Sequence, residues 1–212
     1  MGELRISAYF GDESMKIYFV RHGKDPDGYR GGWSQLDLVP EGIQQAERLA
    51  HRLGVHRKRY NIAEIVSSDL RRAMTTAEII AAALKLPVQP EPCLREMNNG
   101  ELAGMPEVQA RAQYPGLYFN TLQMDEHYPN GESPAEFYQR ISAWLADFIR
   151  TRQDLAGNAL VVTHGGVISI VYHLAEGLAW SNRNPPYKAA NCALYVLDVD
   201  TMAFQAENLS EY

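Results

Sequence analysis

Two apolar runs far apart in the chain, Lys16-Ile17-Tyr18-Phe19-Val20 and Ala159-Leu160-Val161-Val162, are each followed within three residues by a histidine and a glycine. Apolar runs without polar alternation are strands covered on both faces, the situation of parallel strands buried between helices. Arg21-His22-Gly23 follows the first run, and Thr163-His164-Gly165-Gly166 follows the second. Open α/β sheets bind ligands in the crevice beyond the carboxyl ends of their strands, so both histidines are expected to face that crevice. Two histidines with arginines nearby describe a site for a dianion, in which one imidazole can serve as a nucleophile.

The rest of the chain supplies the layers around such a sheet. Pro40-Glu41-Gly42 opens a helix with Ile43, Ala46, Leu49, Ala50 and Leu53 on its buried side. Ile62 to Ser67 reads as a strand, followed by a helix whose apolar face is Leu70, Ala73, Ala77, Ile80, Ala81 and Leu84. Ser68 and Asp69 are placed to cap it. Pro87 to Pro92 is a short extended edge, and Leu94-Arg95-Glu96 is expected at another strand end. Met97 to Glu132 is irregular, broken by Pro106, Pro115-Gly116 and Pro129-Asn130-Gly131.

Ser133-Pro134 begins a long helix carrying Phe137, Ile141, Trp144, Leu145, Phe148 and Ile149, with proline in the turn where its missing N–H costs nothing. A further helix is expected near Val167 to Gly177, and Ala193–Val199 with Met202–Glu207 reads as a hairpin. The expected fold is a three-layer α/β/α sandwich. Its central sheet is mostly parallel, with an antiparallel edge strand and a small helical insertion over the active site. Residues 15–212 are expected to form a single domain with the insertion at about 97–132. Residues 1–14 are an N-terminal extension for which a strand, a mobile arm and an extended start site all remain open.

A chain of 212 residues, 46% apolar and 22% charged, can bury a full core. Its net charge of -6 argues against general binding to nucleic acid or membrane surfaces, which calls for a basic face. An acidic protein that binds phosphate must therefore concentrate positive charge locally. Cys93 and Cys192 do not form a disulfide framework, so reduced thiols are expected. No apolar run approaches the ~20 residues of a membrane span, and the first residues lack the pattern of a signal peptide. The expected location is cytoplasmic.

A third cluster runs from Ser67 to Ala77, again a strand end entering a helix. Helix amino termini attract anions, and an arginine in the first turn adds a planar fork matched to phosphate oxygens. The residues alone do not choose between Arg71 and Arg72. His51 and His56 read as surface groups and His173 as part of a helix, while His127 stays open.

Together these segments resemble the histidine phosphatase superfamily, the phosphoglycerate-mutase-like group, from Met15 onward. Arg21-His22-Gly23 looks like the family signature, and Ser68-Asp69-Leu70-Arg71-Arg72-Ala73 with Thr76-Ala77 resembles its second motif. Leu94-Arg95-Glu96 followed by Gly100 and Gly104 is similar to the segment that supplies a proton donor. Gly131-Glu132-Ser133, Thr163-His164-Gly165-Gly166 and Asn191-Cys192 follow in the expected order. The chain departs from the pattern at Lys24, where the family often has an acidic residue, and at Gly31-Gly32-Trp33-Ser34, where others place a glutamine-glycine pair. Ser34 reads either as a donor to phosphate or as an ordinary turn residue.

The resemblance implies a phosphomonoester hydrolase acting through a phosphohistidine on a small phosphorylated metabolite. It assigns His22 as nucleophile, Glu96 as proton donor, and Arg21, Arg72 and His164 as phosphate ligands, choosing Arg72 over Arg71. It implies no metal and no cofactor, so a chelator is expected to leave activity unchanged. The implied partner is a small-molecule substrate, with no nucleic acid and no membrane. The alternatives are a cofactor-dependent phosphoglycerate mutase, disfavoured because Met97-Asn98-Asn99 is neither basic nor long, and a phospho-ligand-binding module whose catalysis has decayed. The segment 97–132 is expected to shape the leaving-group pocket, and its Tyr114, Tyr118, Phe119, His127 and Tyr128 beside Arg111 read equally as pocket lining for a sugar, nucleotide or aryl ester and as core. Its shortage of positive charge argues weakly against a second phosphate on the substrate.

Overall fold

A computed structural model of the chain describes residues 14–184 and 187–207. The expected N-terminal extension therefore lies outside the described residues except for Ser14, whose hydroxyl donates to Asp198 Oδ2 at 2.5 Å. In chain order the elements are β1 (Lys16–Arg21), α1 (Pro40–Val55), α2 (Arg57–Tyr60), β2 (Ile62–Ser67), α3 (Arg71–Leu84) and β3 (Val88–Pro90). There follow α4 (Glu107–Gln113), α5 (Pro134–Thr151), β4 (Asn158–Thr163), α6 (Gly165–Ala175), β5 (Leu194–Asp198) and β6 (Phe204–Ala206). Short 3₁₀ turns occupy Pro92–Leu94 and Gly100–Leu102.

The strands form one mixed sheet in the order β3-β2-β4-β1-β5-β6. β3, β2, β4 and β1 run parallel, and β5 pairs antiparallel with both β1 and β6. Alternation along the two central strands explains their composition. Ile17, Phe19, Ala159 and Val161 point into a core with α5 and α6. Tyr18, Val20, Leu160 and Val162 point into a second core with α1 and α3. A strand between two apolar layers has no solvent side, so every position must be hydrophobic. The result is the expected three-layer sandwich, mostly parallel with antiparallel strands at one edge.

Three local expectations need correction. Ile43 is exposed, because Gly42 takes the buried line of α1 that continues through Ala46, Leu49, Ala50 and Leu53. Ser68 and Asp69 do not cap α3. Leu70 is its N-cap without a side-chain bond, while the Ser68 hydroxyl lies 2.8 Å from His164 Nε2 and the Asp69 carboxylate grips Arg95. Leu94-Arg95-Glu96 ends no strand. Proline and the Glu91 carboxylate, which accepts from Cys93 N–H, fold its approach into a 3₁₀ turn. α5, by contrast, starts at Ser133-Pro134 as expected and adds a capping box between Ser133 and Glu136.

The two cysteines are free, Cys93 exposed and Cys192 buried. No helix among the described residues is long and apolar enough to cross a membrane.

Candidate active site

Sheet order brings the three sequence clusters together. β2, β4 and β1 are parallel neighbours, so their carboxyl ends emerge side by side. Arg21 is in register with Thr163, and His22 N–H donates to Thr163 O at 3.0 Å. Ser68 N–H donates to Val162 O at 2.9 Å, which carries the start of α3 to the same edge. Gly23 is required here by close approach, since a Cβ on it would stand 2.4 Å from Gly42 O at the start of α1.

His22 is held in one tautomer by its partners. Its Nδ1 lies 2.7 Å from Gly23 O, and a carbonyl only accepts, so Nδ1 carries the hydrogen. Nε2 therefore keeps its lone pair, and Arg72 Nε–H donates to it at 3.2 Å. The ring of His164 lies 5.1 Å from that of His22, centroid to centroid. Arg72 is 2% exposed and His164 fully buried, while Arg21, His22 and Glu96 line the cavity in front of them. Arg71 instead faces solvent in an ion pair with Asp37.

The Arg72 fork also holds the loop before α1. Its two terminal nitrogens donate to Ser34 O and Oγ and to Gly32 O at 2.9–3.2 Å. Ser34 is thus a buried acceptor for Arg72. Arg21 donates from one terminal nitrogen to Ala189 O, while Asn191 Nδ2 donates to His22 O. Arg21 Nε and His164 Nδ1 are buried without a hydrogen-bond partner. Native interiors rarely tolerate such groups unless something binds them, and both belong to residues expected around one dianion.

Burial first, and then the charges of Arg72 and Arg21, hold His22 well below its usual range. Burial, Arg72, His22, Arg21 and Arg140 do the same to His164. Both imidazoles are neutral at pH 7, as a nitrogen nucleophile requires. Below about pH 6.5 the unfolded chain binds protons that the folded chain refuses. Stability is complete above that pH and falls as pH drops through the window beneath it. Urea midpoints at pH 7.5 and 5.5 are expected to differ more in the native protein than in His164→Gln. Equal differences would remove His164 from this account.

Glu96 stands across the cavity with its carboxylate oriented by two backbone donors, Gly166 N–H on Oε2 at 3.0 Å and Met97 N–H on Oε1 at 3.1 Å. It forms no pair with Arg95, which is taken by Asp69. Gly166 must be glycine for this contact, because a Cβ there would lie 2.2 Å from Glu96 Oε1.

The cavity, about 950 Å³, is larger than a phosphoryl group needs. Of the aromatic residues expected around it, Tyr118, Phe119 and Tyr128 line it. Tyr114 bonds Glu101, His127 pairs with Glu136 and Arg111 with Glu107, all away from the cavity. Segment 97–132 brings no cationic side chain to the cavity, and the positive charge comes from other parts of the chain. Arg30, Arg183 and Lys188 line the wall, Arg30 already paired with Glu107 at 2.7 Å, against Glu96 as the carboxylate among its described lining residues. They come from the segments between β1 and α1 and between α6 and β5, and no local pattern in the sequence marks them. Arg183 donates to the carbonyls of Thr121 and Leu122, so its hydrogen bonds orient it without neutralising it.

The sequence matches the model of the histidine phosphatase superfamily (branch 1) over residues 17–211. Phosphoglycerate mutase-like protein 4 of Arabidopsis thaliana is 36% identical over 169 residues, 76% of this chain and 71% of that one. The probable phosphoglycerate mutase GpmB of Escherichia fergusonii is 30% identical over 190 residues, covering 87% of this chain and 85% of that one. Among solved structures, a mycobacterial glucosyl-3-phosphoglycerate phosphatase superposes with TM-score 0.73 at 24% identity, covering 92% of this chain and 97% of the other. The alpha-ribazole phosphatase of Shigella flexneri gives TM-score 0.75 at 24% identity, over 91% and 95%. At that identity the likeness is one of fold.

Proposed function

The chain belongs to the histidine phosphatase superfamily, whose enzymes have phosphatase or mutase-like activity, and we propose that it is a metal-independent phosphomonoester hydrolase working through a phosphohistidine at His22. The observation that carries this reading is the lone pair of His22 Nε2, fixed by the Gly23 carbonyl and surrounded by cationic donors. Nε2 attacks phosphorus, the N–P bond forms as the bond to the leaving oxygen breaks, and the oxygen departs with the electron pair. Arg21, Arg72 and His164 hold the equatorial oxygens, where transition-state charge is spread. His164 does so with hydrogen on Nδ1, its Nε2 accepting from the Ser68 hydroxyl.

Glu96 gives its proton to the departing oxygen. Water then attacks the phosphohistidine and returns a proton to Glu96, and the electron pair of the N–P bond goes back to Nε2. One carboxyl serves both halves, and phosphate leaves.

The substrate is a small phosphorylated metabolite, and the positive charge of Arg183 and Lys188 on the cavity wall favours a leaving group that carries a second anion. Gluconate 6-phosphate and sorbitol 6-phosphate differ only in a carboxylate against a hydroxymethyl group. The carboxylate is expected to raise kcat/KM about tenfold, and Arg183→Gln to erase that preference. Inorganic phosphate released from either ester, in stoichiometric balance with the free alcohol, supports hydrolysis. Phosphate retained and returned at another hydroxyl would make the protein a mutase. No turnover of any phosphoester would leave a binding module.

A further inference from the structure

Glu96 sits on backbone that belongs to no strand or helix, and its precise placement needs another cause. That cause is in α5. One terminal nitrogen of Arg140 donates to Cys93 O at 2.7 Å and to Arg95 O at 3.0 Å. The other donates to Glu96 O at 3.3 Å and to Glu132 Oε1 at 2.6 Å, and Nε reaches Glu132 Oε2 at 3.3 Å. Three carbonyls that regular structure would have satisfied thus converge on one guanidinium. Glu132 orients that guanidinium in a two-pronged pair, and its Oε1 also accepts Asn98 N–H at 2.7 Å, just past Glu96. The side chains of Arg140 and Glu132 are 19% and 13% exposed, so solvent competes little for these bonds. Trp33 Nε1–H adds a second donor to Glu96 O at 2.7 Å.

We propose that Arg140, oriented by Glu132, is a positioning residue for the proton donor: it fixes the 93–96 turn so that the Glu96 carboxyl meets the departing oxygen. Neither side chain lines the cavity. The inference rests on the proposed role of Glu96 and adds to it a physical consequence. Proton donation matters in proportion to the basicity of the leaving group. p-Nitrophenolate departs almost unaided, whereas an alkoxide does not. A residue that only positions the acid therefore affects alkyl esters and spares activated aryl esters. A residue that merely supports the fold depresses both alike.

The test measures kcat/KM, which reports the steps up to phosphohistidine formation, for glycerol 3-phosphate and p-nitrophenyl phosphate. Glu96→Gln is expected to lose roughly a hundred- to thousand-fold on the alkyl ester and less than about tenfold on the aryl ester. Arg140→Met should show the same asymmetry at about ten- to a hundred-fold against a few-fold, with inhibition by inorganic phosphate unchanged. Glu132→Gln, which keeps an acceptor for Asn98 and is the milder change should Arg140→Met not fold, is expected to lie between the native protein and Arg140→Met. An asymmetric Glu96→Gln beside variants that fall equally on both esters, or do not fall, overturns the positioning role alone. A Glu96→Gln enzyme without asymmetry overturns the assignment of Glu96 and this inference with it.

Discussion

His22→Ala is expected to lose phosphoester turnover by roughly ten-thousand-fold or more, with aryl and alkyl esters affected alike. No other group in the site is placed to replace Nε2 as the atom that bonds phosphorus. Of the other imidazoles here, His164 has Nε2 engaged by Ser68, and His173, which also lines the cavity, is held through Nδ1 on Ser169 O within its own helix. The loss should fall on kcat. Inhibition by inorganic phosphate should survive, because Arg21, Arg72 and His164 remain. Folded stability should change by no more than about 2 kcal/mol, the worth of bonds to Gly23 O and Arg72. Initial rates with p-nitrophenyl phosphate, together with a urea melt, check both halves. Retained turnover in a folded variant would move the nucleophile elsewhere.

Arg72→Met is expected to cost kcat/KM about a hundred- to a thousand-fold and, unlike His22→Ala, to weaken phosphate inhibition as well. Arg72 aligns the nucleophile through Nε while its two terminal nitrogens pin Gly32 and Ser34. Removing it leaves buried acceptors without a donor, a penalty of about 3 kcal/mol. Lysine keeps the charge but not the planar fork, so Arg72→Lys should recover only a small part of the loss. Phosphate inhibition constants measured across the three proteins separate the loss of charge from the loss of geometry. Full recovery by lysine would mean that the fork is immaterial.

What could be read in the chain was whatever depends on local pattern. Ile17 to Val20 and Ala159 to Val162 have to be doubly covered strands, and the histidines that end them have to emerge at a common edge. β2 and the buried face of α3 follow from the same periodicity. The distinction between Arg71 and Arg72 came from resemblance, and the structure gives it a physical form: one guanidinium buried against His22, the other in solvent against Asp37.

What could not be read depends on distant partners. Ser68 is an ordinary capping residue in the sequence, yet its hydroxyl goes to a histidine 96 positions away. Arg140 looks like the polar side of an amphipathic helix until the carbonyls of 93–96 arrive beside it. The positive wall of the cavity is assembled from Arg30, Arg183 and Lys188, which no spacing connects. The 3₁₀ turn at Pro92–Leu94 arises because a carboxylate and a proline bend backbone that apolar content alone would have made a strand end.

The central claim is that phosphorus becomes bonded to one nitrogen of one side chain. It is tested by mixing the protein with excess substrate, quenching in alkali within milliseconds, and locating the phosphoryl group by peptide mass spectrometry. A phosphoramidate survives alkali and is lost in acid. The account predicts an acid-labile phosphoryl group on the peptide containing His22, linked through Nε2 and missing from His22→Ala. A phosphoryl group on any other residue, or phosphate release by an enzyme that never becomes labelled, would contradict it.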